Sequence, residues 1–297
     1  MLPEIGEFVE NSTSGKLSGL ADHLSEAITH CQLCPHQCGI DRRRQTGHCE
    51  QTSYARLTNA VVHTGEEPPL IEGTGAGAVF FSGCTMRCVY CQNFGFSQLN
   101  GGSEKTDEEL AEIFLSLQQK GVGNLDLVSP TPHLRAIVSA LEIGAGKGLT
   151  LPVVYNTSSY ERVETLRWME GVVDLYLADI RYTSDEYGRV YSGVRDYWAV
   201  AQKAIREMFR QVGSKRLIIR LLVLPEGISG TREALRFITE ELSPKVHISV
   251  MSQYFPVYKA LDIPPLNRKI TSREYEEAVA LLDEFGLDNG WLQELGR

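Results

Sequence analysis

An α/β fold built on a parallel sheet is what this sequence predicts, and three observations carry the prediction. Short apolar runs recur from Gly77 onward, longer segments of helical periodicity separate them, and capping signals open several of those segments. The runs with the character of buried strands are Ala78–Ser82, Leu125–Ser129, Val153–Asn156, Val172–Ile180, Arg216–Leu224 and Val246–Met251. Between them Thr106-Asp-Glu-Glu precedes Leu110, Ser159 precedes Glu161–Met169, and Ser229-Gly-Thr precedes Leu235. Each offers a side-chain acceptor to the first free N–H groups of a helix. Strands alternating with helices in this way pair in parallel through right-handed crossovers, either as an open doubly wound sheet or as a partial (β/α)6 barrel of the TIM type. Both architectures present functional side chains at the C-terminal ends of the strands. A helix around Arg273–Phe285 and a short tail containing Trp291 close the sequence.

At 297 residues, with 42% hydrophobic and 23% charged, the chain has the balance of a folded globular protein able to bury a core. Residues 1–30 read as a loose leader, 31–76 as a small cysteine-rich metal-binding segment, and 77–297 as the partial barrel with its C-terminal helix. The first residues include Pro3, Glu4, Glu7 and Glu10 and lack the basic-then-apolar pattern of a secretory signal, so a cytoplasmic location is expected. Leu217–Leu224, interrupted by Arg220, is far shorter than the roughly 20 apolar residues that span a bilayer, and no membrane partner is expected. The 29 basic against 38 acidic residues give a net charge of −9, which argues against a broad nucleic-acid surface. Gly73-Thr-Gly-Ala-Gly77 precedes a strand instead of following one, so it does not form a dinucleotide cradle.

The cysteines fall into two groups. Cys31-x2-Cys34-x3-Cys38-x10-Cys49 places four thiols in a stretch too poor in apolar residues to build its own core. A metal would supply what the core cannot, and four thiolates suit zinc, rubredoxin-like iron or a second, auxiliary iron–sulfur cluster, with His36 and His48 as alternative ligands. Disulfides do not suit a reducing compartment. The second group, Cys84-x3-Cys88-x2-Cys91, follows directly on Val79-Phe-Phe-Ser-Gly83, at the C-terminal end of a predicted strand. Three thiolates leave one iron of a cubane cluster open to the amino and carboxylate groups of a small molecule, whereas a zinc site would need a histidine besides.

Tyr90 before the last cysteine, Gln92-Asn93 after it and Ser82-Gly83 ahead of the loop make this segment similar to the radical S-adenosylmethionine (SAM) superfamily. A wider set of stretches resembles pyruvate formate-lyase activating enzyme homologues, of the branch with an extra N-terminal four-cysteine motif. These are Cys31-x2-Cys34-Pro-x2-Cys38, His63-x2-Glu66-Glu67-Pro68, Phe80-Phe-Ser-Gly-Cys84, Tyr90-Cys-Gln-Asn93, Val154-Tyr-Asn-Thr157, Tyr176-Leu-Ala-Asp179 and Arg220-x2-Val223-Leu-Pro225.

The resemblance implies a [4Fe–4S] cluster on Cys84, Cys88 and Cys91, and reductive cleavage of SAM to a 5′-deoxyadenosyl radical that abstracts hydrogen. It further implies an electron donor such as reduced flavodoxin or ferredoxin, and a glycyl radical protein as the target. By position Tyr90 would lie beside the adenine, Gln253-Tyr254 near the adenosine, and Asn156, Thr157, Asp179, Arg181 and Arg220 at the methionine end of SAM or an ion near it. Where the superfamily carries Gly-Gly-Glu, this chain has Leu127-Val-Ser-Pro-Thr-Pro-His133, so Ser129 and Thr131 stand in as acceptors for the amino group, and His133 is placed to cap a helix. Asn156 also departs from the acid of activating enzymes. Two alternatives stay open: the same radical chemistry on a different peptide, nucleoside or metabolite, and a non-catalytic iron–sulfur carrier.

Overall fold

The apolar runs after Gly77 become strands because each is long enough to cross a sheet and too short for a buried helix. In the computed structural model, which describes residues 2–295, the order begins α1 (Phe8–Thr13), α2 (Lys16–Ala27), β1 (Ala55–His63), β2 (Ala76–Phe81), α3 (Phe94–Ser97), β3 (Ser103–Lys105) and α4 (Asp107–Gln119). It continues with β4 (Leu125–Val128), α5 (Leu134–Ala145), β5 (Val153–Thr157), α6 (Val163–Trp168), β6 (Leu175–Ile180), α7 (Asp185–Ser192) and α8 (Tyr197–Val212). It ends with β7 (Leu217–Leu222), α9 (Thr231–Phe237), β8 (His247–Met251), α10 (Ser272–Glu284) and β9 (Gly290–Leu292). Residue 1 of the expected leader and residues 296 and 297 of the expected C-terminal segment lie outside the described residues.

Two compact units divide the chain. The first takes in residues up to Thr85, Gly95–Thr157 and Glu161–Tyr176. In it β2, β4 and β5 pair in parallel, with Gly77 opposite Leu125 and Leu125 opposite Val153. β1 lies antiparallel to β2 and to β3, a hairpin-like edge that the sequence does not announce. Its residues Arg56, Thr58, Asn59 and His63 alternate imperfectly with Leu57 and Val61, so no continuous apolar run marks it. α4 and α5 bury Leu110, Phe114, Leu134, Ile137 and Leu141.

The residues expected as a loose leader are instead helical and anchored. Phe8, Leu17 and Leu24 are buried, and the Asn11 side chain donates to the Gly171 carbonyl at 2.6 Å. Asp174 fixes the entry point, accepting the Glu7 N–H at 3.0 Å and, with its other oxygen, the Val153 N–H at 2.8 Å. Three apolar positions in a polar stretch give a weak helical signal, and only a partner surface makes them a core.

The second unit comprises Met86–Phe94, Ser158–Tyr160 and the chain from Leu177 onward. β7, β8 and β9 are parallel there, with Ile218 opposite His247 and Ile248 opposite Gly290. The tail around Trp291 is therefore a strand. Gly290 makes that pairing possible, since a Cβ at this position would fall 1.8 Å from the Ile248 carbonyl oxygen.

Of the three capping signals one works as expected: Thr106 accepts the Glu109 N–H at 3.2 Å while Glu109 accepts the Thr106 N–H at 2.9 Å. α9 starts from a left-handed Gly230 and α6 only at Val163, each without a side-chain cap. Ser159 lies in a left-handed turn at φ 63° instead of capping, and Glu161 stays outside the helix. Asp174→Ala strands two backbone donors at about 1–3 kcal/mol for each buried one, so we expect urea unfolding to read a loss of about 2–4 kcal/mol.

Candidate functional site

The strand ends carry polar side chains because a side chain beyond the last ladder bond is free to turn toward a ligand or a neighbour. In the second unit the loop Met86–Phe94 is pinned to the end of α7 by two backbone bonds, Arg87 N–H to Ser192 O and Val89 N–H to Tyr191 O, both 2.8 Å. That brings the Ser192 hydroxyl within 3.0 Å of the buried Cys88 Sγ, to which it donates, while Ser192 Oγ also lies 2.8 Å from Tyr182 Oη. Tyr90 is buried between Tyr182 and Tyr254, edge-on to both, with ring centroids 6.3 and 5.8 Å away. Burial pushes the Tyr90 and Tyr182 hydroxyls well above their ordinary value, which keeps them protonated. The Gln92 side chain donates to the Gln253 carbonyl at 3.3 Å, so the residue after Cys91 meets the segment that follows β8.

Asp179, near the end of β6, accepts from Arg220 Nε at 2.5 Å and from Arg181 Nη2 at 2.6 Å. Tyr197 steadies this group, its hydroxyl donating to the Ser158 carbonyl at 2.9 Å and accepting the Arg181 N–H at 2.8 Å. Two guanidiniums thus converge on one buried carboxylate.

The first unit collects different chemistry at the ends of β4 and β5. Ser129 takes a left-handed conformation at φ 56°, and its N–H donates to the Asn156 carbonyl at 2.9 Å. The Asn156 amide reaches the buried Asp126 carboxylate at 3.4 Å. Thr131 and Thr157 are engaged with Glu161, each hydroxyl donating to its Oε1 at 2.6 Å, while Thr131 Oγ1 lies 3.0 Å from Tyr155 Oη. Glu161 Oε2 is buried and has no hydrogen-bond partner. Burial raises the Glu161 carboxyl to about 7, against the pull of the two hydroxyls. His133 does not cap α5; its neutral ring donates through Nε2 to the Ser82 carbonyl at 2.8 Å, and burial lowers it to about 3.

The N-terminal cysteines belong to this unit too. Cys31, Cys34, Cys38 and Cys49 line one small cavity with Arg42, His48, Thr85, Thr131 and Pro132. His36 stacks on His48 at 3.6 Å and donates to the Thr85 carbonyl at 2.7 Å. Gly83, at φ 73°, turns the chain out of β2 into Cys84, and a Cβ there would lie 2.5 Å from the Cys49 carbonyl oxygen. None of the seven cysteines is in a disulfide. Among the described residues no three His, Cys, Asp or Glu side chains converge as a finished coordination sphere. Cys84 lies in the first unit, and Cys88 and Cys91 lie in the second. Three cysteines spaced within one short stretch, with Cys88 buried and receiving a hydroxyl hydrogen bond, are a donor set whose chemistry fits a cluster with one open iron.

Tyr90, Asp179, Arg181 and Arg220 thus meet within the second unit, and Ser129, Thr131, Asn156 and Thr157 within the first. Sequence reasoning missed Glu161, Asp126, Arg42 and Ser192. Glu161 sits two residues before a helix, where an acid ordinarily signals dipole compensation, and only its inward turn makes it a partner of Thr131 and Thr157.

A family model described as the radical SAM superfamily matches residues 78–238. An uncharacterized protein of Methanocaldococcus jannaschii is 32% identical over 270 residues, 87% of this chain and 76% of that protein. The pyruvate formate-lyase-activating enzyme of Clostridium pasteurianum is 28% identical over 141 residues, covering 44% of this chain and 57% of that enzyme. Among solved structures, a radical SAM methyltransferase from Sphaerobacter thermophilus superposes with a TM-score of 0.54 at 14% identity, over 73% of this chain and 65% of that one. At that identity the likeness speaks for the fold.

Glu161 gives a pH signature. Its carboxyl titrates near 7 in the folded chain, against an ordinary value of 4.5, so between these values the folded state holds a proton that the unfolded state has lost. The associated stability is complete below the unfolded value and is lost as pH rises through about 7. Denaturation from about pH 4 to about pH 8 should show the wild type losing roughly 3 kcal/mol relative to Glu161→Gln.

Proposed function

Because the chain belongs to the radical SAM superfamily, we propose that it holds a [4Fe–4S] cluster on Cys84, Cys88 and Cys91 and uses it, with SAM, to activate a glycyl radical protein. The observation that carries this reading is the three-cysteine loop leaving β2 through Gly83, inside the matched residues. When bound, the cluster and SAM supply a 5′-deoxyadenosyl radical for hydrogen abstraction, driven by an electron from a donor such as reduced flavodoxin or ferredoxin.

The chain's own residues bind, orient and exclude water. The Ser192 hydroxyl donates to Cys88 Sγ, which favours the thiolate needed for ligation. The Asp179, Arg181 and Arg220 group brings two guanidiniums to neighbouring strand ends, suited to the carboxylate of a bound methionine moiety, with Arg220 offering a planar fork for it. Tyr90, Tyr182 and Tyr254 form an aromatic wall suited to a flat base. Ser129 and Asn156 stand at the ends of neighbouring parallel strands, where the amino group of SAM would find acceptors. Thr131 and Thr157 act more indirectly, by holding Glu161. The cysteines at 31, 34, 38 and 49 would hold a second metal.

Partial likeness to the Clostridium pasteurianum activating enzyme supports a glycine on a partner protein as the hydrogen donor. Anaerobic reconstitution with iron, sulfide, dithionite and SAM should yield 5′-deoxyadenosine, falling to background in Cys88→Ala. Arg220→Lys should raise the KM for SAM about tenfold, the effect of roughly 1.4 kcal/mol. Electron paramagnetic resonance of a glycyl radical protein incubated with the chain should show the glycyl radical. Formation of 5′-deoxyadenosine without that signal would move the target to another peptide, a nucleoside or a metabolite, and no 5′-deoxyadenosine at all would overturn the reading.

A further inference from the structure

The four N-terminal cysteines come together by local chain folding. Cys31 N–H donates to the Ile40 carbonyl at 2.8 Å and Gly39 N–H to the Cys31 carbonyl at 2.9 Å, which bends the segment back on itself around Cys34. The His48 N–H points at Cys38 Sγ from 3.4 Å, the kind of backbone donor that stabilises a thiolate. The cavity these cysteines line measures about 20 Å³. That is space for about one water-sized sphere. A cubane cluster brings eight heavy atoms and does not enter such a space, whereas a single ion at the usual Zn–S distance of about 2.3 Å does.

Arg42 stands in the wall of the same cavity and is buried to 2% exposure. Its guanidinium donates to the carbonyls of Gln51 at 3.2 Å, Thr52 at 2.5 Å and Pro132 at 2.6 Å. All three acceptors are neutral, so the hydrogen bonds are satisfied while the charge is not. An ion withdrawn from water in this way is costly unless an opposite charge is near. As neutral thiols the cysteines that share its cavity supply none. Four thiolates around one divalent ion carry a net charge of −2, which the guanidinium reduces by one.

Building on the reading that this module holds a metal, we infer that Cys31, Cys34, Cys38 and Cys49 bind one thiophilic divalent ion, zinc or rubredoxin-like iron, as a tetrahedral tetrathiolate with Arg42 as its buried counter-charge. The thiols converge by turning about χ1, since no three of them meet yet as a coordination sphere. The ion is then the local core of a segment that has few apolar side chains of its own.

Metal analysis of the full chain carrying Cys84→Ala, Cys88→Ala and Cys91→Ala tests this independently of radical chemistry. One zinc or one iron per chain without acid-labile sulfide is the expected result, with cobalt substitution giving thiolate charge-transfer and tetrahedral ligand-field bands. A sulfide-containing cluster in that variant would overturn the single-ion site and leave the metal-module reading standing. Absence of any bound metal would overturn the metal-module reading itself. Should the triple variant fail to fold, the wild-type chain decides by X-ray absorption: a mononuclear sulfur shell without a metal–metal vector for zinc, or a second cluster's worth of iron and sulfide. For the counter-charge, Arg42→Met should weaken cobalt binding about tenfold or more, with Arg42→Lys in between. If Arg42→Met does not fold, the cobalt affinity of Arg42→Lys serves as the test, and an affinity equal to wild type in the variant measured overturns the role of Arg42.

Discussion

The buried guanidinium of Arg42 is the constraint on which the first compact unit depends. It reaches the carbonyls that follow Cys49, at Gln51 and Thr52, and the carbonyl of Pro132 in the turn after β4. A cysteine-rich segment with almost no apolar side chains cannot dock by the hydrophobic effect, so directional bonds from one planar cation do that work instead. Close approach of the Cys49 carbonyl to Gly83 continues the same contact to the residue just before Cys84. The segment that carries the four N-terminal thiols and the loop that begins the second triplet are thus held against each other by backbone.

A second theme is the sharing of hydroxyl and carboxyl groups at strand ends. Thr131 and Thr157, which the family resemblance suggests for SAM, spend their hydrogens on Glu161. That leaves a protonatable carboxyl buried near the cysteine cavity, with Thr131 common to both. In the second unit the equivalent economy is ionic. Asp179 is held by two arginines, so planar hydrogen-bond donors gather where β6 and β7 end.

Legibility in the sequence followed the length scale of each signal. The six apolar runs were readable because a buried parallel strand is a continuous hydrophobic segment, and each corresponds to a strand, β2 and β4 through β8. β1, β3 and β9 were not readable: they pair at one face or an edge, with polar residues interleaved, and Gly290 gains its meaning only beside Ile248. The Thr106–Glu109 capping box was visible because both partners are three residues apart. Ser159 and Ser229 offered the same letters, but the backbone beside them turns left-handed, and no local pattern reveals that.

By itself the sequence determined the alternation of strands and helices, the family, and the grouping of cysteines into a four and a three, because all of these are encoded in spacing along the chain. Tertiary structure alone decided that Glu161 turns inward to two threonines, that Ser192 serves Cys88 across 104 residues, that the leader is anchored on Asp174, and that a buried arginine bonded to three backbone carbonyls lies against the N-terminal thiols. The physical reason is that a side chain's partner is set by where strand ends and turns bring distant segments together. A buried charge or an unshared oxygen acquires its chemistry from that meeting, not from its neighbours in sequence.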